Sequence, residues 1–195
     1  SLSTGSLEAV SSGFTKLGGV ITATATAIIG FGANYNAEIE SITMSLETLL
    51  GSAEEASVVM ERIKSDASTT PFDVRSLAKG EQMLISTGLS AEEAEASMLA
   101  LGDAISATGG DSATMTRMLA NLQQIQNAGK ATSMDIRQFA YAGIDIYGLL
   151  ADSMGKTTAE IQEMQSKGKI GYKEITDALK NASAEGGRFY GAMER

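Results

Sequence analysis

The sequence specifies an all-α protein: a long N-terminal helix followed by a compact array of short amphipathic helices. Three observations carry that expectation. Apolar residues recur at helical spacing along almost the whole chain, and helix-capping pairs open the successive runs. No stretch alternates with period two for long, and no Asn-Gly or Asp-Gly hairpin signal occurs. Aromatics are only 5%, with no Trp, a single Pro and 10 Met, a composition suited to closely packed helices with adaptable contacts.

Residues 1–50 form the first unit of this reading, an amphipathic, heptad-patterned helix. Every seventh position from Leu7 is apolar or aromatic: Leu7, Phe14, Ile21, Ile28, Tyr35, Ile42 and Leu49. Val10, Leu17, Thr24 and Phe31 accompany them at +3, then Ile39 and Leu46 at +4. The stripe is a coiled-coil seam with one stutter-like shift near Tyr35, which locally unwinds a left-handed supercoil. A helix from Leu7 to Leu50 is roughly 65 Å long at ~1.5 Å per residue, more than a domain of this size can cover. The seam Leu7, Val10, Phe14, Leu17, Ile21, Ile28, Phe31, Tyr35, Ile39, Ile42, Leu46 and Leu49 is therefore the candidate self-association surface. Two features oppose a plain coiled coil. Gly13, Gly18, Gly19, Gly30 and Gly32 each cost about 1 kcal/mol inside a helix, and few flanking charges fix a register. Leu17 to Ala37 is uncharged over 21 residues, a length that spans a hydrocarbon core, although its Thr, Asn and Gly content is poorly suited to lipid. Self-association, packing back on its own domain and membrane contact through 17–37 all stay open.

Residues 51–195 read as the compact helical domain. Ser52 with Glu55 forms a capping box opening a helix that carries Ala56, Val59, Ile63 and Ala67 and stops before Thr70-Pro71. Asp73 caps the next, with Val74, Leu77, Leu84 and Ile85 inward and Gly88 past its end. Ser90 with Glu93 opens a helix whose Ala94, Met98, Leu101 and Ile105 share a face, closed by Gly109-Gly110. Asp111 or Ser112 starts one that buries Met115, Met118, Leu119, Leu122 and Ile125 and ends at Gly129. Shorter pieces follow near Ser133 to Ala142, Asp145 to Met154, Thr158 to Ser166 (capped by Thr157 with Glu160) and Tyr172 to Ala182. Gly186-Gly187 reads as a helix stop and restart.

Composition narrows the chemistry. The 15 basic and 24 acidic side chains leave a net charge of −9, which argues against a nucleic-acid binder. The absence of His and Cys removes disulfides, thiolate zinc sites, Cys nucleophiles and imidazole-based acid–base catalysis. The carboxylates sit mostly at helix starts and on expected solvent faces, where they complement the helix dipole. No aromatic platform accompanies an acid pair for glycoside chemistry. Gly109-Gly110-Asp111 lacks the acidic spacing of a calcium loop. Gly129-Lys130 and Gly168-Lys169 lack the remaining parts of a phosphate-binding loop and read as turns between helices. Met83, Met98, Met115, Met118, Met134 and Met164 read as core filler. No catalytic, cofactor or metal site is expected, and the protein is expected not to be an enzyme. Beginning at Ser1, the chain is expected to be an excised or processed piece, and its start shows no signal-peptide pattern.

A string of segments carries a family resemblance over about four fifths of the chain. They are Thr70-Pro71-Phe72-Asp73, then Ser86-Thr-Gly-Leu-Ser-Ala-Glu-Glu93, then Leu101-Gly-Asp-Ala-Ile-Ser-Ala-Thr-Gly-Gly110. Leu122-Gln-Gln-Ile-Gln126 follows with Gly129-Lys130, then Asp135-Ile-Arg-Gln-Phe139 with Ala142-Gly143-Ile144. Gly168-Lys-Ile170 and Glu185-Gly-Gly-Arg-Phe-Tyr-Gly-Ala-Met193 complete the set. Each is a turn or cap by itself, and their order and spacing make the match specific. From Phe31 to Arg195 the chain resembles the N-terminal domain of bacteriophage tail length tape measure proteins. That resemblance implies a structural protein, with no catalytic residues to carry over, that helps set tail-tube length and supports tail assembly and genome ejection. It implies a homo-oligomer in contact with the tail tube protein, a tail chaperone and tail-tip or baseplate proteins, in a virion tail assembled in the host bacterial cytoplasm. A phage-unrelated helical adaptor and a membrane-active helical protein are the competing readings.

Overall fold

The computed structural model describes residues 21–194, with side chains from Asn34 onward. Among the described residues the architecture is wholly helical. The first helix, α1 (Ile21–Leu50), belongs to two compact units, 1–41 and 42–195. The expected beginning of that helix at Leu7 lies outside the described residues.

Eight more helices follow in the second unit: α2 (Ala53–Thr69), α3 (Val74–Ile85), α4 (Ala91–Ala107), α5 (Ser112–Ala128), α6 (Ser133–Tyr141), α7 (Ile146–Met154), α8 (Thr158–Ser166) and α9 (Tyr172–Ser183). Their starts are set locally. Ser52, Asp73, Ser90, Asp111, Thr132, Asp145 and Thr157 each accept a bond from the backbone N–H three residues on, a contact worth about 1 kcal/mol apiece. The box at Ser90 is reciprocal, Glu93 accepting from the Ser90 N–H, and so is that at Thr157 with Glu160. The box expected at Ser52 is only half made: Ser52 Oγ accepts from Glu55 N–H at 3.1 Å. Thr132 with Asp135 forms a reciprocal box that the Glu/Gln template passes over.

The helices wrap α4. It packs against α9, α3 and α5, while α3 packs closely on α5, and α7 joins α9 to α8. Met98, Leu101, Ala104 and Ile105 of α4 are wholly buried together with Met115, Met118, Leu119 and Leu122 of α5. Phe72, in the turn made by Pro71, is buried beside Gly102, whose missing side chain also leaves room for Met193. The sequence after α9 differs from expectation. The chain does not restart a helix after Gly187 but runs through turns, with the Phe189 N–H on the Ala182 carbonyl at 2.8 Å and the Met193 N–H on Asp103 Oδ1 at 3.1 Å. A Cβ at Gly187 would lie 2.3 Å from the Ala182 oxygen, so the turn stays tight against the end of α9.

Candidate functional site

Of the twelve seam residues, Leu7, Val10, Phe14 and Leu17 lie outside the described residues. Ile21, Ile28 and Phe31 fall on the backbone of α1. Tyr35 and Leu49 are exposed, 40% and 41%, and Ile39 is half-buried. Ile42 and Leu46 are buried in the core of the second unit. There Gln82 Nε2 of α3 donates to Ser45 Oγ at 2.7 Å, fixing the end of α1 to that unit. The last turns of the stripe thus serve the chain's own fold, a role that a repeat of seven cannot distinguish from pairing with another copy.

A groove of about 630 Å³ lies between the end of α1 and the first turns of α2 and α4, lined by Leu50, Ser52, Glu54, Glu55, Val58 and Glu92. Its walls combine apolar and acidic side chains with the cationic group of Arg62, and Val58 is more than half exposed. Met134 is exposed rather than core, against the expectation for the Met set, and shares a face of α6 with exposed Tyr141 seven residues on. Met98, Met115 and Met118 are fully buried as expected.

The densest electrostatics lie behind the groove. Glu81 of α3 is wholly buried, and neither of its oxygens has a hydrogen-bond partner. The Arg62 guanidinium of α2 reaches it only at 3.9 Å through Nη2 and bonds Glu95 of α4 at 3.1 Å through Nη1. Burial pushes the Glu81 carboxyl up to about 8; the neighbouring charges of Glu95, Asp66 and Glu92 add to this, and Arg62 opposes it. Asp66 and Glu95 are also raised, by burial first, against the pull of Arg62. Glu81 is therefore mostly an uncharged acid at neutral pH. The sequence reading, which put most carboxylates at helix starts or on solvent faces, did not single it out. The signal was present: Glu81 falls on the stripe of Leu77, Leu84 and Ile85 at helical spacing.

A second buried carboxylate is fully satisfied. Asp135 Oδ2 accepts from the Thr132 N–H and hydroxyl, both at 2.7 Å, and Oδ1 accepts from Gln124 Nε2 at 3.2 Å. Asn121, buried on the Met118–Ile125 stripe, donates to the Asp135 carbonyl. This network locks α5 to α6 and has no open position for a ligand. Among the described residues no cluster of acidic side chains could hold a metal ion, and no helix is long and apolar enough to cross a membrane. Residues 17–20 of the uncharged stretch fall outside that description.

Segments that carry the family resemblance prove to be joints between helices. Gly129, at φ +69°, ends α5 in the left-handed conformation, and the next turn meets the Gly168-Lys169-Ile170 turn through Ala131 N–H on the Ile170 carbonyl, 2.7 Å. Both Gly-Lys pairs are thus turns between helices. Ile144, beside Gly143, is buried, as is Phe139.

Capped helices closed around small and sulfur-containing side chains, with a helix leading into them, define a helical structural module. The family model described as tape measure protein matches residues 30–195. The chain belongs to the tape measure protein family, whose role in the phage tail is structural. No curated protein and no solved structure matches the chain.

Proposed function

We propose that this chain is the folded head portion of a tape measure that sets tail-tube length and supports tail assembly, with a part in genome ejection. The observation that carries the reading is the family match over residues 30–195. The role is non-catalytic, and the place of action is the virion tail, assembled in the host bacterial cytoplasm.

The two units divide the work. An α-helix converts residue number into distance at ~1.5 Å per residue. The 154 residues of 42–195 (195 − 41) fold instead into a unit whose radius of gyration is about 15 Å for that length. A compact unit of that kind marks an end of a ruler. Docking to a tail chaperone, to tail-tip or baseplate proteins and to the tube protein falls to it. Length belongs to extended helix, and the stripe ahead of Ile42 is the surface through which copies bundle. Exposed Tyr35 supports that assignment.

The test is made in the phage or prophage that encodes the chain. In-frame removal of residues 21–34 leaves the second unit whole and shortens the tail by roughly 21 Å if that helix lies along the tube, at ~1.5 Å for each of the fourteen residues. Averaged electron micrographs resolve such a change. Normal tails made in the absence of the whole chain would overturn the reading.

A further inference from the structure

Glu81 of α3 lies where Arg62 of α2 and Glu95 of α4 meet, with none of its own polar atoms hydrogen-bonded. Its side chain is 1% exposed, both oxygens lack hydrogen-bond partners, and so do Arg62 Nε and Asp66 Oδ2 beside it. The charged groups facing it are Arg62 and Asp66 from α2 and Glu92 and Glu95 from α4. From α5 the side chain set against this part of α3 is Leu119, which packs on Gly80. From α1 it is the neutral Ser45, bonded to Gln82. One guanidinium therefore stands among four carboxyl groups, and its shorter bond goes to Glu95.

An uncharged carboxyl costs less in this position than a buried carboxylate whose countercharge, Arg62, stands at 3.9 Å and is shared with Glu95. The consequence falls on one helix. α2 packs chiefly against α3, whereas the rest of the unit is held by separate contacts of α3 with α5, α4 with α9 and α9 with α7. Parting α2 from α3 exposes the Val59, Met60 and Ile63 face and leaves those other contacts in place.

We propose that Glu81 is a latch on α2: uncharged, it lets α2 close on α3 and α4; ionised, it draws water into that contact and parts α2 from the remaining helices. The device is a proton-operated opening of one edge of the module.

The absence of cysteine from the chain makes the test direct, because spin labels attach only where a cysteine is introduced. One pair, Glu61→Cys with Arg117→Cys, spans α2 and α5. A control pair, Arg117→Cys with Lys173→Cys, spans α5 and α9. Pulsed dipolar spectroscopy of the full chain between pH 6 and pH 9 is expected to show a longer distance population in the first pair alone, rising with a midpoint near the Glu81 value of about 8. Glu81→Gln and the apolar Glu81→Met are expected to keep the short distance throughout. A first pair unchanged with pH would overturn the latch. Parallel changes in both pairs, or the same opening in an uncharged variant, would overturn it equally.

Discussion

The N–H of Ala131 donates to the carbonyl of Ile170 across 2.7 Å, tying the turn after α5 to the turn before α9. Gln165 Nε2 adds a bond to the Ala131 carbonyl at 3.1 Å. The joint depends on Gly129 at φ +69°, a region that costs an L-residue about 1–2 kcal/mol and a β-branched one most. Gly129→Val is expected to lower unfolding free energy by roughly that amount or more, read from urea denaturation. An unchanged midpoint would mean that the turn has no fixed conformation.

Gly80 gives a second expectation, opposite to helix propensity. Alanine in a helix interior is favoured over glycine by up to about 1 kcal/mol. A Cβ at Gly80, however, would fall 2.1 Å from Leu119 Cδ1, and Leu119 is fully buried. Moving it costs on the order of 1–3 kcal/mol in a packed core. Gly80→Ala is expected to be destabilising, and combining it with Leu119→Val should cost less than the sum of the two changes. Additive costs would show that the two residues do not compete for one space.

The Glu81 carboxyl makes stability depend on pH in a stated direction. Its folded value, about 8, lies above the ordinary value of 4.5. The folded state thus holds a proton that the unfolded state releases. That contribution is complete below pH 4.5, is lost as pH rises toward 8, and changes little beyond. Across the window the slope approaches about −1.4 kcal/mol per pH unit. Relative to Glu81→Gln, the native chain is expected to lose roughly 2–4 kcal/mol between pH 5 and pH 8. Denaturation of both proteins at the two pH values measures the difference, and parallel pH profiles would contradict the assignment.

Much of the fold was legible because its signals are local. Asp73, Ser90, Asp111 and Thr157 bond backbone three residues away, and Pro71 breaks the helix before it, so neither needs knowledge of distant residues. Glu81 was passed over and Met134 misread for the converse reason. Spacing tells which residues share a face, and only tertiary packing decides whether that face is covered. The stripe through Leu77 and Leu84 carries Glu81 into the core, whereas Met134 lies on a face of α6 left uncovered by its neighbours. The seam shows the same limit within one helix: Ile42 and Leu46 are claimed by the chain's own core, and Tyr35 and Leu49 remain exposed.

Burial of Ile42 and Leu46 also determines how self-association is to be tested. A fragment beginning at Gly51 would lose both core side chains, so the informative cut comes just before Ile42. A Val20→Asp, Ile28→Asp pair places charge on or beside the upstream stripe, outside residues 42–195, and is expected to dissolve a bundle while leaving that unit folded.

The decisive measurement is the light-scattering mass of the full chain beside that of residues 42–195. A multimeric full chain with a monomeric, folded shorter one is the predicted result, and makes the upstream helix the assembly element. Monomers in both cases, or equal multimers, would contradict it.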